Sequence, residues 1–117
     1  MVDLETFQGD SPDYVMTVKN SAGTPIVITG YTFYMMVKES VDDLDASAKI
    51  SKTVTSHSDP TNGETTISLS TANTNQTVSS STQKYVYDIR MKDTSGKVTT
   101  LLNGNFKIKQ PITRSTA

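Results

Sequence analysis

Between Gln83 and Lys92, Tyr85, Tyr87, Ile89 and Met91 fall on one face of an extended chain, with mainly polar residues on the other. Period two is the mark of a half-buried strand. Asp93-Thr94-Ser95-Gly96 supplies a polar reversal, and residues 97–102 and 106–108 read as two more extended segments separated by Asn103-Gly104-Asn105. The pattern predicts an antiparallel meander. A strand with one apolar face needs a second apolar layer against it, so this stretch alone predicts a layered β protein.

The same periodicity recurs upstream. After the turn signal Gly9-Asp10-Ser11-Pro12, residues 14–19 place Tyr14, Met16 and Val18 on one face. Asn20-Ser21-Ala22-Gly23 reverses the chain into a short apolar segment, residues 24–29, whose Pro25 confines it to a strand start or edge. Residues 31–38 form the second strong strand: Phe33, Met35 and Val37 point one way, Tyr34, Met36 and Lys38 the other. That opposite face is itself partly apolar, which predicts cover on both sides or a partner. Residues 50–56 make a weaker strand, and residues 64–70 alternate Thr65, Ile67 and Leu69 with polar side chains across the turn cluster 58–63. Residues 71–82 lack apolar periodicity and read as a loop, with room for one helical turn capped by Ser70 or Thr71.

Seven or eight short strands with turn chemistry between them predict an all-β fold, an immunoglobulin-like antiparallel β-sandwich; an open barrel is the structural alternative. The expected division is an N-terminal arm or edge strand over residues 1–11, the sandwich over 12–110 and a C-terminal tail over 111–117.

With 117 residues the chain is one domain and buries enough surface to fold without a disulfide or metal. It has no cysteine, which removes thiolate metal sites and thiol nucleophiles. The formal charge of −1 is spread over interspersed residues with no basic face, so nucleic acid is not an expected partner. No apolar stretch is long enough for a membrane span. Met1-Val2-Asp3-Leu4-Glu5 is not a secretory signal, so synthesis in the cytoplasm is expected. Serine and threonine make up 33 of the 117 residues; their place in alternating segments fits strand surfaces and turns better than a glycosylated stalk.

No cofactor loop or catalytic constellation stands out. His57, the single histidine, has Ser56, Ser58 and Asp59 beside it, but neighbours on an extended chain face opposite ways and cannot form a triad. It reads as a solvated turn residue. Asp42, Asp43 and Asp45 form the one acidic cluster, without the spacing or later bidentate Glu of a calcium loop; a solvated loop is the default. Asp88 sits inside a strong strand and is expected to pair with a cross-strand Lys or Arg. Asn75-Gln76-Thr77 matches a glycosylation sequon but has no secretion signal to accompany it. Tyr31, Tyr34 and Met36 are the candidate interaction face, for a docking protein or for a sugar ring. Two partly apolar faces fit a self-assembling module better than an enzyme, and a homo-oligomer is expected.

Five segments carry a likeness: Gly30-Tyr31-Thr32-Phe33-Tyr34-Met35; residues 59–69 with Asp59-Pro60-Thr61-Asn62-Gly63; Tyr85-Val86-Tyr87-Asp88-Ile89-Arg90 with Ser95-Gly96-Lys97; Gly104-Asn105-Phe106-Lys107-Ile108; and Pro111-Ile112-Thr113-Arg114. In this order they resemble small β-sandwich proteins of tailed bacteriophages and prophages, above all the N-terminal domain of the baseplate upper protein family. The chain stops soon after the resembling stretch, without a long receptor-binding region. The resemblance therefore implies a stand-alone virion structural or assembly protein of the tail, neck or baseplate. Its partners would be other phage proteins, and it would need no cofactor. A small carbohydrate- or cell-surface-binding module is the alternative.

Overall fold

Two sheets enclose one apolar core in a computed structural model that describes residues 2–75 and 82–111. Among these residues there are seven strands: β1 Leu4–Phe7, β2 Asp13–Thr17, β3 Thr32–Lys38, β4 Ile50–Val54, β5 Glu64–Ser68, β6 Thr82–Lys92 and β7 Val98–Lys109. The larger sheet has the order β1-β7-β6-β3-β4, and β2 pairs with β5 in the smaller one. The fold is all-β, as the alternation predicts. Phe33, Met35, Val37, Ile50, Tyr85, Tyr87, Ile89, Met91, Phe106 and Ile108 bury one face of the large sheet, and Ile67 and Leu69 close the core from the small one. The residues predicted to face inward along β3 and β6 do so.

The large sheet is mixed, not wholly antiparallel. β1 runs parallel to β7, with Leu4 opposite Phe106 and Thr6 opposite Ile108. The N-terminal arm arrives from across the sheet edge rather than through a hairpin, so chain direction is free there. The arm is pinned by main-chain and side-chain bonds: Val2 N–H donates to the Asn103 carbonyl at 2.8 Å, and Asn105 N–H to the Asp3 carboxylate at 3.0 Å. The Tyr87 hydroxyl donates to the Val2 carbonyl at 2.5 Å. At its far end Glu5 pairs with Lys109 at 2.9 Å, and that hydrogen bond holds the Glu5 carboxyl below the usual range.

Asn103-Gly104-Asn105 is not a turn. β7 runs unbroken through it, and an ideal Cβ on Gly104 would lie 2.2 Å from the Val2 carbonyl oxygen. The glycine marks a close backbone approach. The irregularity falls earlier: Ile89 opposes Leu102 but Arg90 opposes Thr100, which leaves Leu101 as the extra residue of a bulge.

Residues 24–29 form no strand. They touch the fold through the Lys19–Pro25 bridge and through Ile26 N–H and Ile28 N–H, which donate to the carbonyls of Val18 and Pro60. Pro25 lacks the donor a ladder needs. This packing presses on Gly63, whose φ is +74° and whose Cβ would meet the carbonyl oxygens of Val18 and Ile26 at 2.6 and 2.7 Å. After β5, Thr71–Thr74 is a helical turn, with Ser70 and Asn73 in a reciprocal capping box. The rest of the predicted loop, the sequon's Gln76 and Thr77, and tail residues 112–117 lie outside the described residues.

Burial pushes the hydroxyls of Tyr14, Tyr85 and Tyr87 above their ordinary value of 10.0. These phenols hold their protons more tightly folded than unfolded. Stability is therefore expected to be level below pH 10 as far as they contribute, and to fall as pH rises through the unfolded value toward the folded ones. Denaturant midpoints compared with tyrosinate absorbance across alkaline pH check this; a midpoint that rises above pH 10 contradicts it.

Candidate binding groove

The outer face of the large sheet is built by parity. Because β3 and β6 bury Phe33, Met35, Val37 and their β6 partners, the alternate residues must project the other way. Cross-strand register then sets them in rows: Asn105, Val86, Lys38; Asn103, Asp88, Met36, Ser51; Thr100, Arg90, Tyr34, Thr53; Val98, Lys92, Thr32. With Val41 and Asp45 rising on one side and Gly96 on the other, this face becomes a groove of about 980 Å³. That is the size of a pocket for a ligand of several rings or a short stretch of chain.

Both walls are braced by hydrogen bonds. Lys38 Nζ binds the Asp45 carboxylate at 2.7 Å and the Asp43 carbonyl at 3.1 Å, and Ser40 N–H donates to the Asp43 carboxylate at 3.2 Å. In the opposite wall the Asp93 carboxylate accepts from the Ser95 hydroxyl, Ser95 N–H and Lys97 N–H at 2.8, 3.0 and 2.9 Å. The Ser95 hydroxyl bond leads in holding the Asp93 carboxyl below its usual range.

The groove floor is chemically mixed. Tyr34, Met36, Val86 and Val98 are apolar, and Asp88, Arg90 and Lys92 make no ion pair among the described residues. Asp88 was expected to pair across strands, but its registered neighbours are Met36 and Asn103. Neutral partners leave its charge to solvent or a ligand.

Of the candidate face, Tyr34 and Met36 lie together in the groove and Tyr31 does not. Tyr31 shares the parity of Phe33 and packs against the core. His57 is no solvated turn residue either. Its Nε2 lies 2.8 Å from the Tyr31 carbonyl, its Nδ1 2.8 Å from the fully buried Thr65 hydroxyl, and its ring meets Phe33 edge-on at 5.2 Å. The carbonyl can only accept, so Nε2 carries the proton and donates. His57 thus ties the start of β3 to β5. His57→Phe keeps a ring there but loses both bonds, and is expected to cost about 1–2 kcal/mol in urea unfolding; an unchanged midpoint contradicts this role.

Asp42, Asp43 and Asp45 do not converge. Asp45 is taken by Lys38 and Asp43 by the loop's own amide. Among the described residues no three His, Asp or Glu side chains come together as a metal site, and no helix is long and apolar enough to cross a membrane.

The groove residues missed from sequence are Val98, Thr100, Asn103 and Asn105. The signal was present: period two continues along β7 on either side of the Leu101 bulge. One edge of the large sheet is guarded. Lys52 on edge strand β4 sits in the core-facing row opposite Met35, a device that discourages edge-to-edge pairing. A scan against protein-family models finds no match, and a search of curated proteins finds none either.

Proposed function

We propose that this protein is a non-enzymatic assembly module of a bacteriophage or prophage particle, a tail, neck or baseplate component that acts through protein–protein contacts made in the groove. The observation that carries the docking part is the floor's chemistry: Arg90 and Lys92 make no ion pair among the described residues and stand beside half-buried Tyr34, Met36 and Val86 and exposed Val98. Such a surface suits a protein segment that presents apolar and acidic residues together. The virion setting rests on the likeness of the strand-and-turn segments to the baseplate upper protein family. Purified particles from an induced host are expected to contain the chain in fixed proportion. Tyr34→Glu is expected to leave the circular dichroism spectrum unchanged and to keep the chain out of particles. Equal incorporation of the variant, or absence of the chain from particles, overturns the reading.

One observation favours a glycan instead: Asp88, Asn103 and Asn105 offer planar polar groups on the same face as Tyr34, the chemistry that pairs with vicinal hydroxyls while a ring stacks. A glycan array that gives a signal lost in Tyr34→Ala selects this second reading.

A further inference from the structure

We infer that the groove receives residues 40–45 of a second copy of this chain, the two copies being related by a two-fold axis so that each loop seats in the other's groove. The inference rests on the docking reading above and names the partner.

Val41 and Leu44 are 80% and 75% exposed, the most exposed large apolar side chains among the described residues. They are not on a slack loop. Lys38 holds this segment from beneath through Asp43 and Asp45, so the two side chains are presented on a fixed projection. Two largely exposed apolar side chains gain free energy on association, and the loop's existing hydrogen bonds reduce the chain entropy that docking would cost. Asp42 lies between them in sequence and makes no ion pair among the described residues.

The groove is the counterpart of that projection. Its floor offers Tyr34, Met36, Val86 and Val98 to the apolar side chains, and Arg90 and Lys92, which outnumber Asp88 there and make no ion pair among the described residues, to the acid. Projection and concavity stand side by side, since Val41 and Asp45 form the rim of their own groove. A two-fold axis beside the rim therefore makes both contacts at once and closes the assembly as a dimer. Groove set flat against groove would leave both concavities empty, whereas interlocked loops fill them. Pairing through β4 is opposed by Lys52.

Sedimentation equilibrium of the full chain over a range of concentrations is the test. A reversible dimer is expected, weakened by salt because Asp42 meets Arg90 and Lys92 across it. Asp42→Lys with Leu44→Asp changes exposed loop positions that do not line the groove and spares the Lys38 contacts; Arg90→Glu changes the floor. Each is expected to raise the dimer dissociation constant at least about tenfold with an unchanged circular dichroism spectrum. Mixing the loop variant with the floor variant restores a heterodimer, because one intact loop and one intact groove remain. A strict monomer, a dimer indifferent to either variant, or a mixture that stays monomeric overturns the inference. A monomer whose Tyr34→Glu variant is still excluded from particles leaves the assembly reading standing and removes this one alone.

Discussion

Phe106→Ala is expected to lower the unfolding free energy by about 3–5 kcal/mol, the range for emptying a well-packed aromatic site. Phe106 is fully buried, opposite Tyr85 in β6 and Leu4 in β1, with the rings of Tyr14 and Tyr87 edge-on at 6.4 and 6.3 Å. It therefore joins three strands of the large sheet to the small sheet, and no single neighbour can collapse into the space it leaves. Ile89→Ala, two strand rows away on the same face, is expected to cost about 2–5 kcal/mol. Arg90→Ala, next in sequence but exposed and in no ion pair among the described residues, should cost under about 1 kcal/mol. Urea unfolding with a constant m-value gives the ranking. If Arg90→Ala proves the costliest of the three, the strand register is wrong by one residue, since a single slip exchanges the two faces.

Gly104→Val is the second large effect, and it reads the N-terminal arm. Any Cβ at this position runs into main chain, 2.2 Å from the Val2 oxygen and 2.8 Å from its carbonyl carbon, and main chain cannot swing aside as a side chain can. The arm must lift. With it go the Val2–Asn103 and Asp3–Asn105 bonds and the Tyr87 hydroxyl's acceptor. The expected cost is about 3 kcal/mol, near the top of the usual overpacking range. Tyr87→Phe removes one of the same bonds, so the double variant should cost less than the two single changes added together. Hydrogen exchange distinguishes the causes: protection at Leu4 and Thr6, whose amides face β7, should vanish while that of β3 and β6 stays. Strict additivity, or an arm that remains protected, would show that Gly104 does not seat the chain's beginning.

These two substitutions mark what was legible in the sequence. Phe106 follows from local alternation, as do Phe33, Met35, Val37, Tyr85, Tyr87, Ile89 and Met91; all are core. Gly104 reads locally as a break between two strands, because glycine between two asparagines is turn chemistry. Nothing within a few residues of it could reveal that Val2, far away in sequence, occupies the missing side chain's place. The candidate face, by contrast, is a local matter. Tyr34 and Met36 share parity, whereas Tyr31 has the parity of the core, so the period of two separates it from the other pair.

Period and composition determined by themselves that this is a cysteine-free all-β protein with one buried face on each strong strand, because side-chain direction in a strand is set by the backbone alone. Only the tertiary structure decided that β1 joins β7 in parallel, that His57 clamps Tyr31 to Thr65, and that Asp88, Arg90 and Lys92 share a groove and make no ion pair among the described residues. Each of these depends on which distant segments meet. That is fixed by burying one apolar face against another, a condition on the whole chain that no local stretch of it contains.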